Sequence, residues 1–196
     1  MNFDNYVNLM KGRLCKKRFE HSLRVVDTAL GIMPNFKTEP DKVRLAALLH
    51  DFAKDMTHQE LLTLAGRQGL ITCKAEEVQP DLLHGPVGAY LCQEELGITD
   101  AEVLDAIRYH TTGHVSMSSL DIIVYLADLI EPGRTYQGVQ ELRKICERDL
   151  TWGLLYAFDY TLQYVLRRKF LIHPLTIEAR NWWILMNGGT IWKPKK

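Results

Sequence analysis

The feature that most restricts the fold is a helix-period spacing of apolar residues. It repeats along the chain, and no alternating stretch of convincing length opposes it. Phe19, Leu23, Val26 and Leu30 recur at intervals of three and four and predict a helix from about Lys16 to Met33, ended by Pro34 and the polar run to Pro40. Asp41 opens a second helix, carrying Val43, Ala46, Ala47 and Leu48 to His50. Thr57-His58-Gln59-Glu60 and Thr99-Asp100-Ala101-Glu102 read as capping boxes, for helices running to Arg67 and to His110. Gly85-Pro86 opens a helix through Glu95, and Ser118 to Ile130 forms another that Pro132-Gly133 stops. Helices over Tyr136–Arg148, Thr151–Arg168 and Pro174–Met186 follow, whereas Gly69 to Leu83 reads as a loop. These segments predict an all-α fold, a single-domain helical bundle over residues 1–187 with a flexible tail at 188–196.

A chain of 196 residues can bury one sizeable core. Lys plus Arg and Asp plus Glu both number 24, and this neutrality argues against bulk binding to nucleic acid or to an anionic membrane. It leaves room for a small basic pocket. Cys15, Cys73, Cys92 and Cys146 form no Cys-x-x-Cys pair and read as free thiols of a reducing cytoplasm. The N-terminus lacks a signal-peptide pattern, and the greasiest window, Ile122 to Ile130, is broken by Asp128. A cytoplasmic protein is expected.

The strongest chemical signal is His50-Asp51 at the end of an apolar helix. Both side chains are costly to bury alone, and one divalent cation would satisfy both. Lys54, four residues past His50, is expected on the same helical face, where it could hold a phosphate. A lone His-Asp pair is more often a solvated helix end, but His21 sits mid-helix beside Ser22 and Arg18, and Asp128 interrupts an apolar face. His84 and His110 lie at element ends, and bundles build metal sites from such positions. Each residue has a structural alternative. Asp128 could be a buried carboxylate paired to an arginine. His110 could cap its helix C-terminus. Arg134 could pair with Glu131, and Lys54 could be a solvated cation. His58, His114 and His173 read as first-turn, loop and helix-start residues, the Trp182-Trp183 pair as core or homodimer packing, and the Tyr160, Tyr164 and Phe170 stripe as core.

The ordered set of a histidine, a His-Asp pair and a distant aspartate resembles the HD phosphohydrolase superfamily. The resemblance implies His21, His50, Asp51 and Asp128 as metal ligands, with His84 and His110 holding substrate phosphate or a second metal. Five strings narrow it: Arg18 to Ser22, Leu49 to Lys54, Leu83 to Pro86, Tyr109 to Gly113 and Ala127 to Arg134. With His173 to Thr176 and Ala179 to Asn181 they are similar to the YqeK family of bacterial symmetrical bis(5'-nucleosyl)-tetraphosphatases, over nearly the whole chain. That likeness implies hydrolysis of diadenosine tetraphosphate to two ADP, with iron as the favoured metal and manganese, zinc or magnesium as alternatives. On this reading His50, Asp51, Lys54, His84 and His110 are catalytic. Arg18, His21, Lys54, His84, His110, Thr111, Arg134 and Thr176 contact substrate, and a metal-activated water attacks phosphorus in line. The competing readings are another nucleotide phosphohydrolase on the same site, such as a nucleotidase or phosphodiesterase, and a non-catalytic nucleotide-binding module.

Overall fold

Eleven α-helices and no strand form among the described residues of the computed structural model, which are 2–187. The expected tail, 188–196, lies outside them. The helices are α1 (Phe3–Arg13), α2 (Lys16–Ile32), α3 (Pro40–Leu49), α4 (His58–Arg67), α5 (Lys74–Val78), α6 (His84–Leu96), α7 (Ala101–Tyr109), α8 (Ser119–Ile130), α9 (Val139–Arg148), α10 (Leu150–Arg167) and α11 (Pro174–Met186). The all-α bundle is therefore as the periodicity predicts.

Local chemistry explains most ends. Thr57 and Glu60 exchange the two bonds of a capping box. Ser118 and Asp121 do the same for α8. At α7 the cap is Asp100 rather than Thr99: its Oδ1 accepts from the amides of Glu102 at 3.0 Å and Val103 at 3.2 Å. The carboxylate reaches two orphan amides where a threonine one residue earlier reaches none.

Four expectations change. α1 has no counterpart in the periodicity reading, because only Tyr6 and Met10 bury and Asn5 and Asn8 weaken its pattern. α9 begins at Val139, three residues later than read, since Gly138 turns the chain with φ 95°. Gly69 to Leu83 contains α5 and a 3-10 turn over Pro80–Leu83, where Glu76 accepts from the amides of Thr72 and Cys73. The aromatic stripe is not core. Tyr164 and Phe170 are 46% and 42% exposed, while Tyr160 lies against Tyr136 with ring centres 4.9 Å apart. Only the side of α10 carrying Leu154, Ala157 and Phe158 is covered, by α8, α9 and α11.

Two clusters of buried side chains meet on α8. Leu120, Ile123, Val124 and Ala127 face a core shared with α1–α4, α6 and α7. Ile122, Tyr125, Leu126 and Ile130 face a second core with α9–α11, where Trp182 and Trp183 pack at the edge. A helix apolar on all sides is a buried one, and each such Leu or Ile stabilises the fold by about 1.5–3 kcal/mol. Close approach of α6 to α7 sets two of the histidines side by side. A Cβ on Gly85 would lie 2.5 Å from the Arg108 carbonyl oxygen, so only glycine lets His84 start α6 this near to the end of α7. No helix among the described residues is long and apolar enough to cross a membrane.

Candidate metal and phosphate site

The chain brings His21, His50, Asp51, His84, His110 and Asp128 into one buried cluster. His21 comes from the middle of α2, and Asp128 from the last turn of α8. His50 and His110 each follow the last residue of their helix, and His84 is the first residue of α6. Three rings make the same local bond. His50 Nδ1 donates to the Ala47 carbonyl at 2.8 Å, His110 Nδ1 to Ile107 at 2.8 Å, and His84 Nδ1 to Asp81. His21 Nδ1 instead donates to Glu131 Oε1 at 3.0 Å. Carbonyls and carboxylates only accept, so Nδ1 carries the proton in His21, His50 and His110, and their Nε2 atoms face inwards.

Asp51 stands between two groups. Its Oδ2 lies 3.6 Å from His50 Nε2 and 3.9 Å from His21 Nε2. Its Oδ1 lies 3.3 Å from His84 Nε2 and 3.8 Å from His110 Nε2. Asp128 Oδ1 adds contacts of 2.9 Å to His21 Nε2 and 3.8 Å to His50 Nε2. The 2.9 Å approach is not aligned as a hydrogen bond, and both His21 Nε2 and His50 Nε2 are buried nitrogens without a hydrogen-bond partner. Two orphaned imidazole nitrogens beside two carboxylates make a donor set that fits a divalent cation.

The electrostatics favour two ionised carboxylates and neutral rings at His50 and His110. Burial pushes the Asp51 carboxyl up, but the surrounding imidazoles outweigh it and hold it well below the usual range. Asp128 is likewise pushed up by burial and held down by His21, Arg134 and His50. Burial lowers His50 and His110 and keeps them neutral. For His21 burial works against the charged ring, and Asp128 overcomes it, so its pKa rises.

His84 Nε2 and His110 Nε2 are 2.8 Å apart. Burial keeps His110 neutral, and Asp51 Oδ1 lies 3.3 Å from His84 Nε2. Thr111 Oγ1 reaches the same two nitrogens, at 3.4 and 3.2 Å.

Three cations surround the cluster. Arg18 donates to Asp51 Oδ2 at 3.2 Å and to Asp55 Oδ1 at 2.9 Å. Arg134 donates through Nη2 to the Asp128 carboxylate and through Nε to its carbonyl, the latter at 2.8 Å. Its partner is thus Asp128, and the alternative pairing with Glu131 does not form; Glu131 takes Arg24 and His21 instead. Lys54 is not on a helical face with His50, because α3 ends at Leu49 and the amides of Phe52 and Lys54 close turns onto Leu49 and Asp51. The turn still brings Lys54 Nζ within 3.2 Å of His84 Nδ1. Burial lowers its pKa, against the attraction of Asp51.

The remaining histidines stand apart. His58 is exposed beside Asp81. His114 pairs with Asp121 Oδ2 at 3.1 Å and lies against Tyr109. His173 caps α11 by accepting from the Leu175 amide. Thr176 is buried in the first turn of α11, with its amide on the His173 carbonyl, and is not joined to the histidine cluster by a described bond. The sequence reading missed Asp55 and Glu131 behind the site. Glu131 lies inside the Ala127 to Arg134 string, one turn beyond Asp128, and that spacing was its only signal.

The sequence model described as "HD domain" matches residues 18–133. The chain belongs to the HD-domain family. The HD domain takes in all six clustered residues and ends one residue before Arg134. A Bacillus subtilis (strain 168) protein named "Bis(5'-nucleosyl)-tetraphosphatase, symmetrical" is 35% identical, over 96% of this chain and 100% of that one. A Staphylococcus aureus protein of the same name is 34% identical, over 93% of this chain and 95% of its own length. Among solved structures, a Clostridium acetobutylicum protein described as a "predicted HD superfamily hydrolase involved in NAD metabolism" superposes with a TM-score of 0.89. It is 38% identical and covers 95% of this chain and 98% of its own. The HD-type all-α fold inferred from the motif strings is therefore the fold of the chain.

Proposed function

We propose that this chain is a metal-dependent hydrolase of diadenosine tetraphosphate and related dinucleoside polyphosphates, cutting them symmetrically to two ADP. The observation that carries the proposal is the pair of buried, partnerless nitrogens, His21 Nε2 and His50 Nε2, facing two ionised carboxylates. The names of relatives that align along nearly the whole chain supply the substrate.

His21, His50, Asp51 and Asp128 hold the metal, with iron favoured by the family resemblance and manganese, zinc or magnesium able to use the same donors. A divalent cation bound there supplies a Lewis acid and an acidified water. The protein's share of phosphoryl transfer is positioning and charge neutralisation. Arg18, Lys54 and Arg134 station positive charge at the rim of the cluster, and Arg18 and Arg134 are already held on ligand carboxylates. His84 and His110, with Thr111 Oγ1 against both Nε2 atoms, are placed to hold the substrate phosphate or to hand a proton to the ADP oxygen as it leaves. Thr176 contacts the nucleotide from α11. Asp51 Oδ1 with His84 and His110 is a second three-donor group, so a second cation competes with phosphate binding for these two histidines.

The test is to measure metal content by elemental analysis, and ADP release from diadenosine tetraphosphate, in the wild type and in Asp51→Ala. The variant is expected to lose metal and activity together while its helical circular dichroism is kept. Retained metal and rate in Asp51→Ala removes the centre from the mechanism. Faster turnover of a nucleoside monophosphate or a cyclic nucleotide than of the dinucleotide overturns the substrate.

A further inference from the structure

Glu131 is a carboxylate with 1% of its surface exposed, set behind the clustered histidines. Burying an anion this deeply is costly unless bonds replace its water. Three donors do so. His21 Nδ1 is 3.0 Å from Oε1, while Arg24 Nε at 2.6 Å and the Gly133 amide at 2.5 Å both reach Oε2.

The arrangement around the His21 ring is two-sided. Asp128 lies against Nε2, and Glu131, three residues later at the end of the same helix, holds Nδ1. One end of α8 therefore grips both nitrogens of a ring that α2 presents. The other clustered histidines use a carbonyl three residues back in their own chain. His21 sits mid-helix, where the backbone carbonyls are taken by helix bonds, so its orienting acceptor has to come from another element.

The surroundings hold Glu131 still. Arg24 is one turn along α2 from His21 and binds the second carboxylate oxygen. A Cβ on Gly133 would lie 2.6 Å from Arg24 Nη2, so glycine leaves the space that Arg24 occupies. From α9, Arg143 donates to the carbonyls of Ile130, Glu131 and Arg134, at 2.8, 2.5 and 3.0 Å, and clamps the turn.

We propose that Glu131 is the positioning residue of the metal centre: it keeps the proton of His21 on Nδ1 and presents the bare Nε2 to the cation, with Arg24 fixing Glu131 for that task. The proposal rests on the metal-ligand role of His21 in the proposed function. Outer partners of ligating histidines change metal affinity by roughly 10–100-fold when removed.

The experiment measures manganese(II) binding to the full chain by competition with a chelator, and histidine ring ¹⁵N shifts of the metal-free protein. Glu131→Gln is expected to weaken manganese binding by about 10–100-fold and to shift the His21 ring towards the Nε2–H form, with far-ultraviolet circular dichroism unchanged. A part in packing alone would lower the melting temperature and leave affinity and tautomer as in the wild type, which overturns the proposal. Should Glu131→Gln not fold, Arg24→Met serves: a loss of several-fold supports the proposal, and wild-type affinity overturns it. A wild type that binds no manganese overturns both this proposal and the hydrolase reading. Tight wild-type binding matched by Glu131→Gln overturns this one alone.

Discussion

A neutral imidazole donates through one nitrogen only, so tying Nδ1 to an acceptor decides what Nε2 can do. His21, His50 and His110 are tied in this way, and each turns its Nε2 towards the two aspartates. His114 lies outside the cluster and pairs with Asp121. Burial works against its charge, but Asp121 overcomes this and raises its pKa. A histidine with a raised folded pKa adds stability that is fully present below its unfolded pKa, about 6.5, and is lost as pH rises through the folded value. His114→Gln should therefore cost more stability near pH 5.5 than near pH 8.5, as ~pH markers either side of that window. Urea unfolding of both proteins at the two pH values checks the sign, and equal costs would remove the ion pair from the account. The clustering of these histidines and aspartates was legible in sequence because such side chains on apolar faces need partners. Glu131 and Asp55 were not, since their work depends on ring tautomers and arginine positions set by elements far away in the chain.

At the scale of helices, sequence reading succeeded where apolar spacing and caps agreed. α4 and α11 run to the residues expected, and α2, α8 and α10 differ by a residue or so at an end. It failed where one signal was missing: α1 has a thin buried face, and α5 is a single turn or so fixed by Glu76, which a periodicity argument cannot see. The α7 cap offers a direct test. Asp100→Ala should destabilise the protein by about 1 kcal/mol, and Thr99→Ala by much less, in a comparison of thermal or urea unfolding. Part of the Asp100 cost comes from its ion pair with Lys42 at 3.0 Å, so Lys42→Met in the same background separates the two contributions.

For the molecule as a whole, the site joins α2, α3, α6, α7 and α8, so a bound cation ties together elements spread over more than a hundred residues. Ligand binding to the native state alone adds RT ln(1 + [L]/Kd), about 4 kcal/mol at a thousandfold excess over Kd. Manganese should accordingly raise the melting temperature of the wild type and leave that of Asp51→Ala nearly fixed, as read by calorimetry with and without chelator. The single helical bundle could be anticipated from periodicity and length, whereas its division into two side-chain clusters could not, because both draw on the same apolar run in α8. That sharing has a consequence for the boundaries of the domain. The segment matched as an HD domain closes at residue 133 and contains every proposed ligand, yet Ile122, Tyr125 and Leu126 are sheltered by helices that begin only at Val139. Cut at the edge of the motif, the chain would keep its chemistry on paper and expose a greasy flank of the very rod that carries Asp128: here the smallest stretch that spells the catalyst is shorter than the smallest stretch that can stand up in water.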